Sequence, residues 1–276
     1  MNLAFRARAF SLLPCLAAAV FSIAAAAQDA ATLVDKAMTG THRSDANKAR
    51  DKYRHPKETL LFFGLEPAMT VVEITPSRGW YTEILAPVLK DKGEYYAAVG
   101  AITEKSPDFA RQTDTYYRSM LADAPDLYGK TRLSVMMPPD IQVAPAGSAD
   151  LVLTFRNVHN WAKAGTADAM FKAFHDALKS GGTLGVVEHR AKPGTSFQQQ
   201  IDSGYMTEAY VIEAAQKAGF TLANKSEINA NPKDTKDYPG GVWTLPPNLR
   251  NVSEADKPKI IAIGESDRMT LKFVKP

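Results

Sequence analysis

The chain has 276 residues, 45% hydrophobic and 23% charged, with a formal net charge of +3. This is globular composition, long enough for one large α/β domain or two small ones, and no internal repeat or low-complexity tract runs through its body. No basic stripe interleaved with aromatics appears either, so nucleic acid is not an expected partner.

The first 27 residues read as a leader. Arg6 and Arg8 form a basic start, "FSLLPCLAAAVFSIAAAA" an apolar core, and small residues precede Gln28. This is the pattern of a secretory signal peptide cleaved after about Ala27, which places the protein in the periplasm or outside the cell with no membrane partner once the leader is gone. Pro14 before Cys15 is not the small residue a lipoprotein signal carries there. Cys15 is the only cysteine, so the remaining chain holds no disulfide and must rely on its core. Losing Arg6 and Arg8 leaves 31 basic against 30 acidic residues, a net charge near +1.

A polar lead-in spans 28–52, and one domain with a long insertion at about 230–266 occupies 53–276. "RHPKETLLFFGL" (Arg54–Leu65) predicts a helix ended by Gly64. "MTVVEI" (Met69–Ile74) is a short β-branched run, hence a buried strand. In "GWYTEILAPVLK", Trp80, Ile84, Leu85, Val88 and Leu89 share a helical face, with Pro87 a potential kink. "GEYYAAVG" (Gly93–Gly100) is a second strand. The next helix has Ser106 as its expected N-cap and Pro107 at its first position. "TRLSVMM" (Thr131–Met137) and "ADLVLTF" (Ala149–Phe155) are the third and fourth strands, the latter an apolar run of the kind parallel sheets bury on both faces. "TADAMFKAFHDALKSGG" predicts a helix stopped by Gly181 and Gly182. "TLGVVEH" (Thr183–His189), a helix over "TEAYVIEAAQKAGF", "TLANKSEIN", an aperiodic aromatic segment and "RMTLKFVK" (Arg268–Lys275) complete the chain.

Strands alternating with helices predict a doubly wound, mostly parallel sheet, and the missing helix before the last strand predicts an antiparallel edge addition. Such sheets bind ligands beyond the carboxyl ends of their strands. Those ends here read "EITPSRGW", "FRNVHNWAKAG" and "VEHRAKPG". His159 and His189 follow the fourth and fifth strands, and paired strands lie about 4.8 Å apart, so the two can share a cleft. Glu73 ends a buried strand, where a carboxylate needs a ligand hydroxyl or nearby amides to satisfy it. The five histidines show no close ligand spacing, and no metal is expected.

Taken together, "VVEITPSRGWYTEILAPVL", "SADLVLTFRNVHNWAKAG", "ALKSGGTLGVVEHR", "EAAQKAGF" and "NPKDTKDYPGGVWTLPP" resemble class I S-adenosylmethionine-dependent methyltransferases, more narrowly an exported bacterial subgroup with a signal peptide. The resemblance covers about Tyr53 to Pro276. It implies a Rossmann-like, seven-stranded sheet with an antiparallel last strand, and S-adenosylmethionine as cofactor. It implies that Glu73, Thr75, Ser77, Gly79 and Trp80 line the methionine end, with Arg156, Asn157 and His159 facing sulfonium and substrate. The activity implied is methyl transfer to a small molecule with His159 or His189 as base, and Trp161, Tyr205, Tyr238 and Trp243 capping the substrate. The chain departs from the family in two places. The first loop keeps only Gly79 of its glycines, and "AAVGAITEKS" has no acid directly after the second strand. These departures leave a second expectation open, a non-catalytic small-molecule binder on the same scaffold.

Overall fold

The computed structural model describes residues 29–276; the expected leader over 1–27 lies outside them. A single sheet of seven strands carries the molecule: β1 (Thr70–Ile74), β2 (Glu94–Gly100), β3 (Arg132–Met136), β4 (Ala149–Phe155), β5 (Leu178–His189), β6 (Thr221–Ser226) and β7 (Arg268–Val274). Their order is β3-β2-β1-β4-β5-β7-β6. β1 to β5 pair in parallel, and β7 runs antiparallel to both β5 and β6. The mostly parallel sheet with an antiparallel last strand is as predicted, but β7 is inserted between β5 and β6, where an edge addition was expected, and β6 holds the edge.

Alternation along the strands divides the core into two layers. Val71, Leu151 and Leu153 face a layer built by α1 (29–39), α4 (Pro56–Phe63) and α5 (Thr82–Leu89), whose Val34, Leu60, Phe63, Ile84 and Leu85 are fully buried. Val72, Ile74 and Val152 face the other layer, which includes α9 (Ala167–Ala177) and α11 (Glu208–Lys217). Two short helices, α2 (Asp45–Lys48) and α3 (Asp51–Arg54), join α1 to α4. The stretch read as a lead-in therefore packs into the same core as the rest. α6 (Asp108–Asp123) and α7 (Pro125–Tyr128) lie between β2 and β3. Gly185 in β5 is required by packing: a Cβ there would sit 2.7 Å from the Phe63 ring and 2.8 Å from Leu153.

Several boundaries differ from expectation. β5 begins at Leu178, so Gly181 and Gly182 belong to a strand and do not stop the helix. Gly181 N–H donates to the Lys275 carbonyl, and Lys275 Nζ donates to the carbonyls of His175 and Leu178, closing the end of α9 with a cation where a glycine cap was expected. α6 starts at Asp108 with Pro107 as its N-cap, because the Ser106 hydroxyl accepts from Thr103 N–H at 2.9 Å. Residues after β4, for which no helix was expected, form α8 (Val158–Ala164). α10 (Phe197–Ser203) starts at a Ser196 capping box. The aperiodic segment holds a 3-10 turn (Gly241–Thr244) and α12 (Lys257–Ile263).

Candidate active site

A cavity of about 690 Å³ opens at the carboxyl ends of β1, β2, β4 and β5. That volume suits a cofactor or a drug-sized ligand. Its floor begins with the turn after β1. Thr75, Ser77 and Gly79 hold φ of +54°, +56° and +81°. The turn thus follows a left-handed path of the kind glycine adopts freely, although two of its three positions carry a Cβ. Such backbone costs about 1–2 kcal/mol per residue and clusters at functional sites. Thr75, Pro76, Ser77 and Arg78 line the cavity; Gly79 does not. Its open side faces α6, where a Cβ would meet Met120 Cε at 2.6 Å. The glycine is kept by helix packing and φ, and does not make room for a ligand.

Glu73 lies in the cavity wall and is almost fully buried. Two hydroxyls satisfy it where amides or a ligand were expected: Tyr95 donates at 2.5 Å and Thr82 at 3.1 Å to Oε2. Burial outweighs these bonds and the attraction of Arg156, and pushes its pKa up to about 7. Asn157 Nδ2 donates to the Ile74 carbonyl and Thr154 Oγ1, tying β4 to β1 at the cavity edge. Trp80 also lines it, with Nε1 donating to the Asn47 carbonyl and Arg54 4.5 Å from the ring centre.

His159 and His189 do meet, with ring centres 5.4 Å apart, and both line the cavity. Glu188 organises them. Its Oε2 accepts from Val158 N–H at 2.6 Å and His159 N–H at 3.3 Å, starting α8. Its Oε1 lies 2.8 Å from His189 N and 3.0 Å from His159 Nδ1. Three main-chain N–H groups donate to this carboxylate, so it acts as acceptor throughout and the proton sits on Nδ1. Among the described residues the Nε2 of His159 has no hydrogen-bond partner. His189 Nδ1 lies 2.6 Å from Ser266 Oγ. Burial, then His159, Arg156, Arg268 and Arg54, drive the His189 pKa far down, so the ring is neutral at pH 7.

His159, Glu188 and His189 each offer a ligand atom, all within 4.8 Å of one another. Spacing along the chain missed this cluster because its members come from α8 and β5. With both Glu188 oxygens already taken by N–H groups, the carboxylate serves as an orienting partner of the histidine.

Four residues expected at the site sort differently. Trp243 lines the cavity, edge-on to His159 at 6.1 Å. Trp161 packs inward on Phe174 and Phe171. Tyr205 is buried with its hydroxyl on Asp234, and Tyr238 accepts from Thr235 N–H; neither lines the cavity. The sequence reading missed Arg50, Arg54, Asp114 and Glu265, which do. They come from short helices, from α6 and from the aperiodic segment, where no periodicity or motif marks them.

At the end of β2, Gly100, Ala101 and Ile102 line the cavity without a carboxylate, and a Cβ on Gly100 would meet nothing within 4 Å. Asp114, one helix further on, lines the same region, and its buried Oδ1 has no hydrogen-bond partner. An acid and space for an adenosine are thus both present, with the acid moved from the strand end to α6. Glu73, Asn157 and residues 75–78 of the turn after β1 line the cavity at the ends of β1 and β4. The residues fit S-adenosylmethionine.

Among the described residues no helix is long and apolar enough to cross a membrane. No protein-family profile and no curated protein sequence matches the chain. Solved structures do match. A SAM-dependent methyltransferase from Aquifex aeolicus is 16% identical over 66% of this chain and 87% of that one, with a TM-score of 0.51. Geranyl diphosphate C-methyltransferase from Streptomyces coelicolor A3(2), solved with S-adenosyl-L-homocysteine, is 12% identical over 87% of each chain at 0.53. The cyclase SpnF is 14% identical over 86% of each chain, also at 0.53. At such identities the likeness is one of fold, and the chain has the Rossmann-like fold of the S-adenosylmethionine-dependent methyltransferases.

Proposed function

We propose that the protein binds S-adenosylmethionine in this cavity and methylates a small molecule, after export and removal of the leader near Ala27. The observation that carries the reading is the His159–Glu188 pair, which engages Nδ1 and leaves Nε2 toward the same cavity that Glu73 and Asn157 line. The cofactor would supply an electrophilic methyl group. Glu73, Asn157 and the turn over Thr75–Ser77 would hold its methionine part, and Asp114 would accept from ribose hydroxyls. His159 would take the proton of an O–H or N–H acceptor at Nε2, a contribution of about 10²–10⁴ in rate. Neutral His189 stands beside it as a second hydrogen-bonding group. Trp243, Pro246 and Pro247 form part of the wall.

Titration of the purified protein with S-adenosylmethionine and S-adenosylhomocysteine by calorimetry tests this. Micromolar binding supports it, and silence at millimolar ligand sinks it. The missing carboxylate after β2 favours one other reading, a non-catalytic binder on this scaffold. Formation of S-adenosylhomocysteine that is lost in His159→Ala would rule that out.

A further inference from the structure

One carboxylate, that of Glu265, is shared by four guanidinium groups. Arg50 lies 2.7 Å from it, Arg54 3.1 Å, Arg268 3.3 Å and Arg156 3.8 Å. Neighbouring acids are engaged elsewhere: Asp51 with Arg43, and Asp267 with Arg190 and Lys236. Four positive charges against one negative leave the cluster at +3. Arg54 and Arg268 are 3% exposed at the side chain, so water does little to screen them. Burial, then Arg156, holds the Arg54 pKa well below the ordinary arginine value. Glu73 compensates weakly, since its own pKa stands at about 7. An excess of buried charge of one sign is a site waiting for the opposite charge.

Arg50, Arg54 and Arg156 all line the ligand space, and Arg156 is the one least engaged by other groups. It lines the cavity and is 26% exposed at the side chain. Among the described residues its guanidinium makes no hydrogen bond, and its single ionic contact is the long one to Glu265. Its backbone holds φ of +62°, a strained conformation for a residue with a Cβ. A planar five-donor fork of this kind matches a carboxylate or phosphate through two parallel bonds. Position in the sheet assigns the fork to the substrate side. Arg156 follows β4 and Glu265 precedes β7, alongside His159 and His189, whereas the space beside Gly100 lies two strands away, past β1.

We infer that Arg156, backed by Arg50 and Arg54, binds the oxyanion head of an organic acid whose apolar body packs against Trp243 and Phe155. A bare inorganic anion would leave most of a 690 Å³ cavity and its aromatic wall unfilled. Calling this acid the methyl acceptor rests on the methyl-transfer reading; its binding does not.

Calorimetry with benzoate, phenyl phosphate and neutral benzamide on the purified protein tests the inference. Benzoate or phenyl phosphate should bind at least about tenfold tighter than benzamide, and the tighter of the two identifies the head group. Arg156→Gln should erase that preference and Arg156→Lys should restore part of it. Equal binding of benzamide, or an unchanged preference in Arg156→Gln, overturns the inference. If Arg156→Gln does not fold, Arg50→Gln, at a side chain about as exposed and lining the same cavity, should weaken benzoate severalfold, and no change there overturns it as well. Competition separates the substrate from the cofactor's own carboxylate. Displacement of benzoate by S-adenosylhomocysteine, but not by 5′-methylthioadenosine, would assign the fork to the cofactor and end the inference. Cofactor binding with no binding of either acid removes this inference alone; acid binding with no cofactor binding removes the methyl-transfer reading alone.

Discussion

Nδ1 of His159 lies 3.0 Å from Oε1 of Glu188, and this contact decides which ring nitrogen is chemically free. Glu188→Gln replaces an acceptor with a group that must turn one N–H toward existing donors. Leaving a buried donor unpaired costs about 1–3 kcal/mol, and the melting temperature should fall accordingly. A low-field imidazole N–H resonance assigned to His159 Nδ1 should be present in the native protein and absent in Glu188→Gln. Its absence from the native protein would contradict the tautomer.

Glu73 and Glu265 predict opposite slopes of stability with pH. Glu73 has a folded pKa raised from 4.5 to about 7, so its contribution is full below pH 4.5 and is lost as pH rises to about 7. The change amounts to about 3 kcal/mol. Glu73→Gln should flatten that part of the curve in urea titrations taken from pH 4.5 to 8.

For Glu265, burial raises the pKa, but Arg54, Arg268, Arg156 and Arg50 together outweigh it and bring the value down to about 2. Its contribution is present above pH 4.5 and is lost as pH falls toward 2, again by about 3 kcal/mol. Glu265→Gln leaves the arginine cluster with no carboxylate and should destabilise by about 3–5 kcal/mol at pH 7. Sulfate should recover part of that loss. A variant as stable as the parent would show that the cluster is already neutralised by something else.

Asp114→Ala should weaken S-adenosylhomocysteine and 5′-methylthioadenosine alike, by about tenfold. The stability change should be small, because among the described residues Asp114 pairs with Arg118 alone, one turn along a half-exposed helix face. Unaltered nucleoside binding would place the adenosine away from α6.

Gly79→Ala puts a Cβ at φ +81° and 2.6 Å from Met120 Cε. The expected loss is about 1–3 kcal/mol by thermal denaturation. Adding Met120→Ala should relieve the steric share of it and leave the backbone share.

Much of the fold was legible because it is periodic. "TVVEI", "EYYAAVG" and "ADLVLTF" appear as β1, β2 and β4 at or within one residue of their expected ends, and the last strand is antiparallel as expected, although α12 does lie between β6 and β7. The two histidines were placed together by strand order alone. Boundaries failed where a distant residue supplied the cap: Lys275 ends α9, and Glu188 starts α8. Trp161 and Tyr205 were assigned to the site by residue type, and only packing shows that they turn inward.

By itself, the sequence determined the strand pattern, the two-layer sheet and the cluster of polar residues at its carboxyl edge, because these follow from local hydrophobic period and strand order. Tertiary structure decided the rest. Glu188 sets the His159 tautomer, Asp114 stands in for an acid missing from β2, and four arginines from three separate segments converge on Glu265. Apart from Arg268, three positions from Glu265, those relationships join residues 29 to 215 positions apart or substitute one element for another, and no local pattern encodes them.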